Sequence, residues 1–127
     1  DASAGLEALT ARIPDPAERL RKYPGMFRKA LENDNRMCLC SFMTAESDDL
    51  PDTVRSEIER FNEVNIAWLG RTLVEAGIAT PKDAKKRAHG IFAAVAGAQL
   101  MARGRSDIKL YDALIKSYQA AGLLPGA

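Results

Sequence analysis

Arg36-Met37-Cys38-Leu39-Cys40-Ser41-Phe42-Met43-Thr44-Ala45-Glu46 is the stretch on which the fold turns. Seven of its eleven residues are apolar, and polar runs close it off on both sides: Glu32-Asn33-Asp34-Asn35 before it, Ser47-Asp48-Asp49 with Pro51 after it. As a strand it would need a partner, and no second strand-like run exists in the chain. Met, Ala and Glu disfavour strand as well. As a short helix from about Met37 to Glu46, buried on most sides, it needs other helices wrapped around it. That reading makes the whole chain all-α.

The flanking sequence supplies those helices. Upstream, Leu6, Leu9 and Ile13 form a weak helical stripe that Ile13-Pro14 ends. Asp15-Pro16-Ala17-Glu18 then has the grammar of a helix start, with a capping carboxylate, a proline in the first turn and an acid at the third helical position. The face that follows carries Leu20, Tyr23, Phe27, Ala30 and Leu31, and Pro24-Gly25 predicts a kink or break near Tyr23. Downstream, Leu50-Pro51-Asp52 opens a long helix. Its stripe of Val54, Ile58, Phe61, Asn65, Trp68 and Thr72 steps by four, three, four, three and four, and Gly77 closes it. Thr80-Pro81-Lys82-Asp83 repeats the start signal for a helix to about Arg103. From His89 to Ala102 that helix has no charge on any side, which predicts burial all round. Ser106-Asp107 starts a last helix with Ile108, Tyr111, Leu114, Ile115 and Tyr118 on one face. About six helices result, with short loops.

With 127 residues, 46% apolar and 28% charged, the chain is one domain with one core, residues 15–121 forming it. A net charge of +1 creates no global field toward nucleic acid or membrane. No apolar run approaches the roughly 20 residues that span a bilayer. Cys38 and Cys40 stand two residues apart, a poor disulfide geometry on a helix, and read as reduced thiols in a cytoplasmic protein, at least one of them buried as a small hydrophobe, with a redox or electrophile sensor as the other reading. Two thiols and one histidine make no zinc site, and no cofactor is expected.

Catalysis has little to stand on. His89 has small or apolar neighbours and no triad partner nearby in sequence. It reads either as a partly buried histidine with one hydrogen bond or as a ligand contact. Glu57, Glu59 and Glu63 lack the Glu-x-x-His spacing of a di-iron bundle. Asn65 is more informative, because an amide inside an apolar stripe needs either a neighbouring backbone partner or a polar cavity.

Asn35-Arg36-Met37-Cys38-Leu39-Cys40-Ser41-Phe42-Met43-Thr44-Ala45-Glu46, then Leu50-Pro51 and the helix bearing Phe61 and Trp68-Leu69, resembles the C-terminal domain of TetR/AcrR-type transcriptional regulators. The segment Ile91-Phe92-Ala93-Ala94-Val95-Ala96-Gly97-Ala98-Gln99-Leu100-Met101-Ala102-Arg103, followed by Asp107, is similar to that family's penultimate helix. The resemblance covers about residues 15–121. It implies an all-helical domain that binds a small effector and forms a homodimer. In that family DNA is read by an N-terminal helix-turn-helix domain, which residues 1–127 do not contain. Residues 1–14 then read as the remnant of a connecting helix.

The expected ligand site is a largely apolar cavity lined by Phe27, Leu31, Cys38, Phe42, Phe61, Asn65, Trp68, His89 and Phe92, which lie on the inward stripes of four helices. It suits a small apolar or amphipathic effector. The other reading of the same cavity is a helical lipid or small-molecule carrier, or an enzyme. Two copies are expected to meet through the last two helices at Gly97, Ala98, Met101, Tyr111, Leu114, Ile115 and Tyr118. The motive is that one small chain cannot cover so much uncharged helix.

Overall fold

The computed structural model describes residues 2–33 and 51–126. The short helix expected over Met37–Glu46, with Cys38, Cys40 and Phe42, lies outside the described residues. Within them the chain is all-α, with five helices and no strand: α1 (Ala2–Arg12), α2 (Pro16–Glu32), α3 (Asp52–Glu75), α4 (Pro81–Gly104) and α5 (Ile108–Ala120).

Local chemistry sets most of the ends. The Asp15 carboxylate accepts from the Ala17 N–H at 3.2 Å, the Thr80 hydroxyl from the Asp83 N–H at 3.3 Å, and the Asp107 carboxylate from the Leu110 N–H at 3.2 Å. Each satisfies a donor that the first turn of a helix leaves orphaned. Two helices end on the same motif. Gly77 (φ 72°) lets Ile78 N–H reach the Leu73 carbonyl at 3.0 Å, and Gly122 (φ 84°) lets Leu123 N–H reach that of Tyr118 at 3.0 Å.

Of the kink or break expected near Tyr23, the break does not occur: α2 runs through Pro24 from Pro16 to Glu32. A proline in a helix interior costs about 3 kcal/mol or more. Tyr23 is buried in the core, and the Pro24 carbonyl accepts from the Tyr111 hydroxyl at 2.6 Å.

The core draws on every helix. Leu6 and Leu9 come from α1, Leu20, Tyr23, Phe27 and Leu31 from α2, and Ile66, Trp68, Leu69 and Leu73 from α3. Helix α4 adds Ala88, Ile91, Val95, Ala98 and Ala102, and α5 adds Tyr111 and Ile115. α3 and α4 form the most extensive helix pair, with α5 lying mainly on α4 and α1 mainly on α3. Only one face of α4 is buried, contrary to the burial all round that its uncharged run predicts. His89, Gly90 and Ala93 are exposed, as are Leu100 (49%) and Met101 (54%). Among the described residues the chain covers one face of α4 and leaves the other, with Ala93, Leu100 and Met101, exposed.

Candidate functional site

Four of the expected cavity residues fall into one row of aromatic rings, joined by a fifth. Trp68 stacks on Tyr23 with centroids 5.7 Å apart and planes at 19°, and Tyr23 meets Phe27 at 5.5 Å. Phe27 touches Phe92 edge-on at 6.4 Å, and Phe92 touches Phe61 at 6.1 Å. The row therefore crosses α2, α3 and α4. Offset and edge-to-face pairs at these distances each contribute about 0.5–1.5 kcal/mol beyond area burial.

Polar groups along the row are dipoles with defined partners. The Tyr23 hydroxyl donates to Asn65 Oδ1 at 2.7 Å, and Asn65 Nδ2 donates to the Phe61 carbonyl at 2.9 Å. Gln99, fully buried, donates from Nε2 to the Phe27 carbonyl at 2.9 Å. At the far end Trp68 Nε1–H donates to Thr10 Oγ1 at 2.8 Å, and the Thr10 hydroxyl donates to the Leu6 carbonyl at 3.0 Å. The row so described holds rings, hydroxyls and amides but no carboxylate, imidazole or thiol. Among the described residues these rings are buried or half-buried, and the few dipoles between them have defined partners.

The expected residues divide as follows. Phe27, Leu31, Asn65 and Trp68 are buried at 3–5% exposure, and Phe61 and Phe92 are half-buried. His89 is exposed and lines no wall of this row. The turn of α4 that directs Ala88 and Ile91 inward at zero exposure directs His89 outward. Cys38 and Phe42 lie outside the described residues. Tyr23, Thr10 and Gln99 belong to the arrangement and were absent from the expected set. Tyr23 sits four residues before Phe27 on the same face, which is the signal that pointed to it. Gln99 is the one amide in the uncharged run of α4.

The expected contact between copies is redistributed as well. Ala98, Tyr111 and Ile115 are buried within the single chain at 0%, 1% and 9%. Ala98 shares the inward line of Ile91, Val95 and Ala102, and Tyr111 reaches across to α2, so neither side chain faces outward. Gly97, Leu114 and Tyr118 are half-buried, while Met101 is exposed beside Leu100.

Outside the row, an open groove of about 570 Å³ runs between α3 and the start of α4 over Ile66, Gly70, Val74, Pro81 and Ala84. None of the expected residues lines it. Between α2 and α5 a charged fork closes the packing. Arg28 donates from Nε to Asp112 Oδ1 at 2.7 Å and from Nη2 to Oδ2 at 3.0 Å, and also pairs with Glu32. The hydrogen bonds from Arg28 hold the Asp112 carboxyl below the usual carboxylate range. Burial pushes the Tyr111 phenol up, and the nearby Asp112 charge adds to the shift.

No curated protein and no solved structure matches the chain. One family does, over residues 16–116: the C-terminal domain of LmrA/YxaF-like transcriptional regulators. The match begins at the first residue of α2 and ends inside α5, so it spans the aromatic row and the helices packed behind it. The chain belongs to this family of C-terminal domains of TetR-type transcriptional regulators.

Proposed function

We propose that this domain senses a small apolar or amphipathic effector at the aromatic row and joins two copies of the regulator. Phe27, Leu31, Phe61, Asn65, Trp68 and Phe92 form the wall, together with Tyr23. Cys38 and Phe42, from the segment between α2 and α3, complete the proposed set. The observation that carries the reading is the row itself: five rings on three helices with a buried Tyr23–Asn65 hydrogen bond among them. The effector changes operator binding by a helix-turn-helix domain of the longer regulator. It does so only by binding two arrangements of the domain unequally. The two copies meet on the open side of α4 and α5, through Gly97, Leu100, Met101, Leu114 and Tyr118, and the regulator works in the cytoplasm.

The test uses N-phenyl-1-naphthylamine, an uncharged apolar fluorophore that accepts energy from tryptophan. Trp68 is the one tryptophan of the chain, so transfer on titration reports binding beside it. Phe61→Ala should weaken the probe roughly tenfold, which is about 1.4 kcal/mol. Absence of transfer, or an affinity that neither Phe61→Ala nor Phe92→Ala alters, would overturn the reading.

A further inference from the structure

Neighbouring positions on α2 face different partners. Tyr23 and Phe27, four apart, enter the aromatic row. Pro24 and Arg28, each one residue further on, meet α5. With 3.6 residues per turn these are two adjacent lines along one rigid helix. The first line is joined to α3 by the Tyr23–Asn65 bond and to α4 by the Phe27–Phe92 contact. The second is joined to α5 by the Tyr111 hydroxyl on the Pro24 carbonyl at 2.6 Å and by both nitrogens of Arg28 on Asp112 at 2.7 and 3.0 Å. A two-point guanidinium–carboxylate fork fixes direction as well as distance. Tyr111 is 1% exposed, so its bond has no competing water in the packed state.

We infer that α5 reads the occupancy of the aromatic row through α2, with Tyr111 and Asp112 as the positioning residues that carry the displacement. The inference rests on the ligand-cavity reading above. A ligand that favours one placement of α2 favours the placement of α5 bonded to it. By reciprocity, anything that docks on α5 alters the affinity of the row by the same factor. Phe92 also carries the row to α4, which packs on α5, so the variants below are chosen to leave that packing in place and remove only the bonds from α2.

The test is hydrogen exchange of the full chain, with and without N-phenyl-1-naphthylamine, under conditions of local opening. In the wild type, saturating probe should change exchange of the 108–120 amides by about fivefold or more, within the range of measured couplings. Asp112→Asn keeps the shape of a partly exposed side chain, and Tyr111→Phe keeps the buried ring and removes one hydroxyl. In both, the probe should bind with near wild-type affinity while its effect on α5 shrinks to less than about twofold. A purely structural role for these residues would raise exchange equally with and without probe and leave the ratio at its wild-type value, which overturns the inference. Probe binding that leaves α5 exchange unchanged in the wild type also overturns it. Failure of the probe to bind overturns the cavity reading, and this inference with it.

Discussion

The Tyr23 hydroxyl donates to Asn65 Oδ1 at 2.7 Å, across 42 positions of sequence, with both residues buried. Asn65 Nδ2 donates in turn to the Phe61 carbonyl one turn back on α3. The amide that interrupts the apolar stripe of α3 is thereby bonded at both ends, and it ties α2 to α3 inside the aromatic row. Tyr23→Phe removes the donor and keeps the ring. It leaves a buried oxygen without that partner, so stability should fall by about 1–3 kcal/mol. Urea unfolding followed by circular dichroism measures it, and an unchanged midpoint would mean that the bond contributes nothing net.

Trp68 connects the row to α1 through its N–H on Thr10. Thr10→Val removes the acceptor without changing the size of the side chain much. Leu6 and Leu9, at 1% and 4% exposure, still hold α1 by apolar burial. Exchange of the 2–12 amides should therefore quicken while the α3–α4 core keeps its protection. Equal loosening of all helices would contradict a local role for this bond.

Acid should weaken the α2–α5 fork. The Asp112 carboxyl is held below its ordinary value of 3.8, chiefly by the Arg28 hydrogen bonds. A depressed carboxyl contributes stability that is present above the ordinary value and lost as pH falls through the lowered one. The stability gap between wild type and Asp112→Asn should thus be constant near neutral pH and close below about pH 4. Partial exposure of both partners keeps that gap small. Tyr111 has the opposite sign. Its neutral form is favoured by burial, so its contribution is present below the ordinary 10.0 and is lost as pH rises beyond it. Denaturant midpoints across pH 2–11 check both arms.

A charge on the open side of α4 should separate the two copies without unfolding either. Leu100 is 49% exposed, so Leu100→Glu disturbs little inside the chain. An interface of standard size buries at least roughly 1,200 Å² in total and survives at micromolar concentration. Sedimentation should give a dimer for the wild type and a monomer for Leu100→Glu, with the thermal melt retained. Ala98→Glu should instead unfold the chain, because Ala98 has no exposure and a glutamate there has neither room nor water. A wild-type monomer at tens of micromolar would end the dimer reading.

Short-range chemistry was legible from the residues alone. Asp15, Thr80 and Asp107 cap helices because a side-chain oxygen and an N–H two or three residues on are brought together by the chain itself. Gly77 ends a helix for an equally local reason, a backbone that must turn to positive φ. The α3 stripe was legible too, because polar and apolar residues alternate there with the helical period, and Asn65, Trp68 and Thr72 are indeed inside. The same logic had no purchase on α4. A run from His89 to Ala102 without charge has no polar side to mark which face turns inward. Only packing against α2, α3 and α5 decided that Ala98 and Gln99 go in while His89, Leu100 and Met101 stay out. Local reasoning had no access either to the contact at the Pro24 carbonyl, because the Tyr111 hydroxyl that meets it comes from 87 residues away. Pairings at such separation depend on how whole helices settle against one another, so only the tertiary structure decided that Tyr23 finds Asn65 and Arg28 finds Asp112.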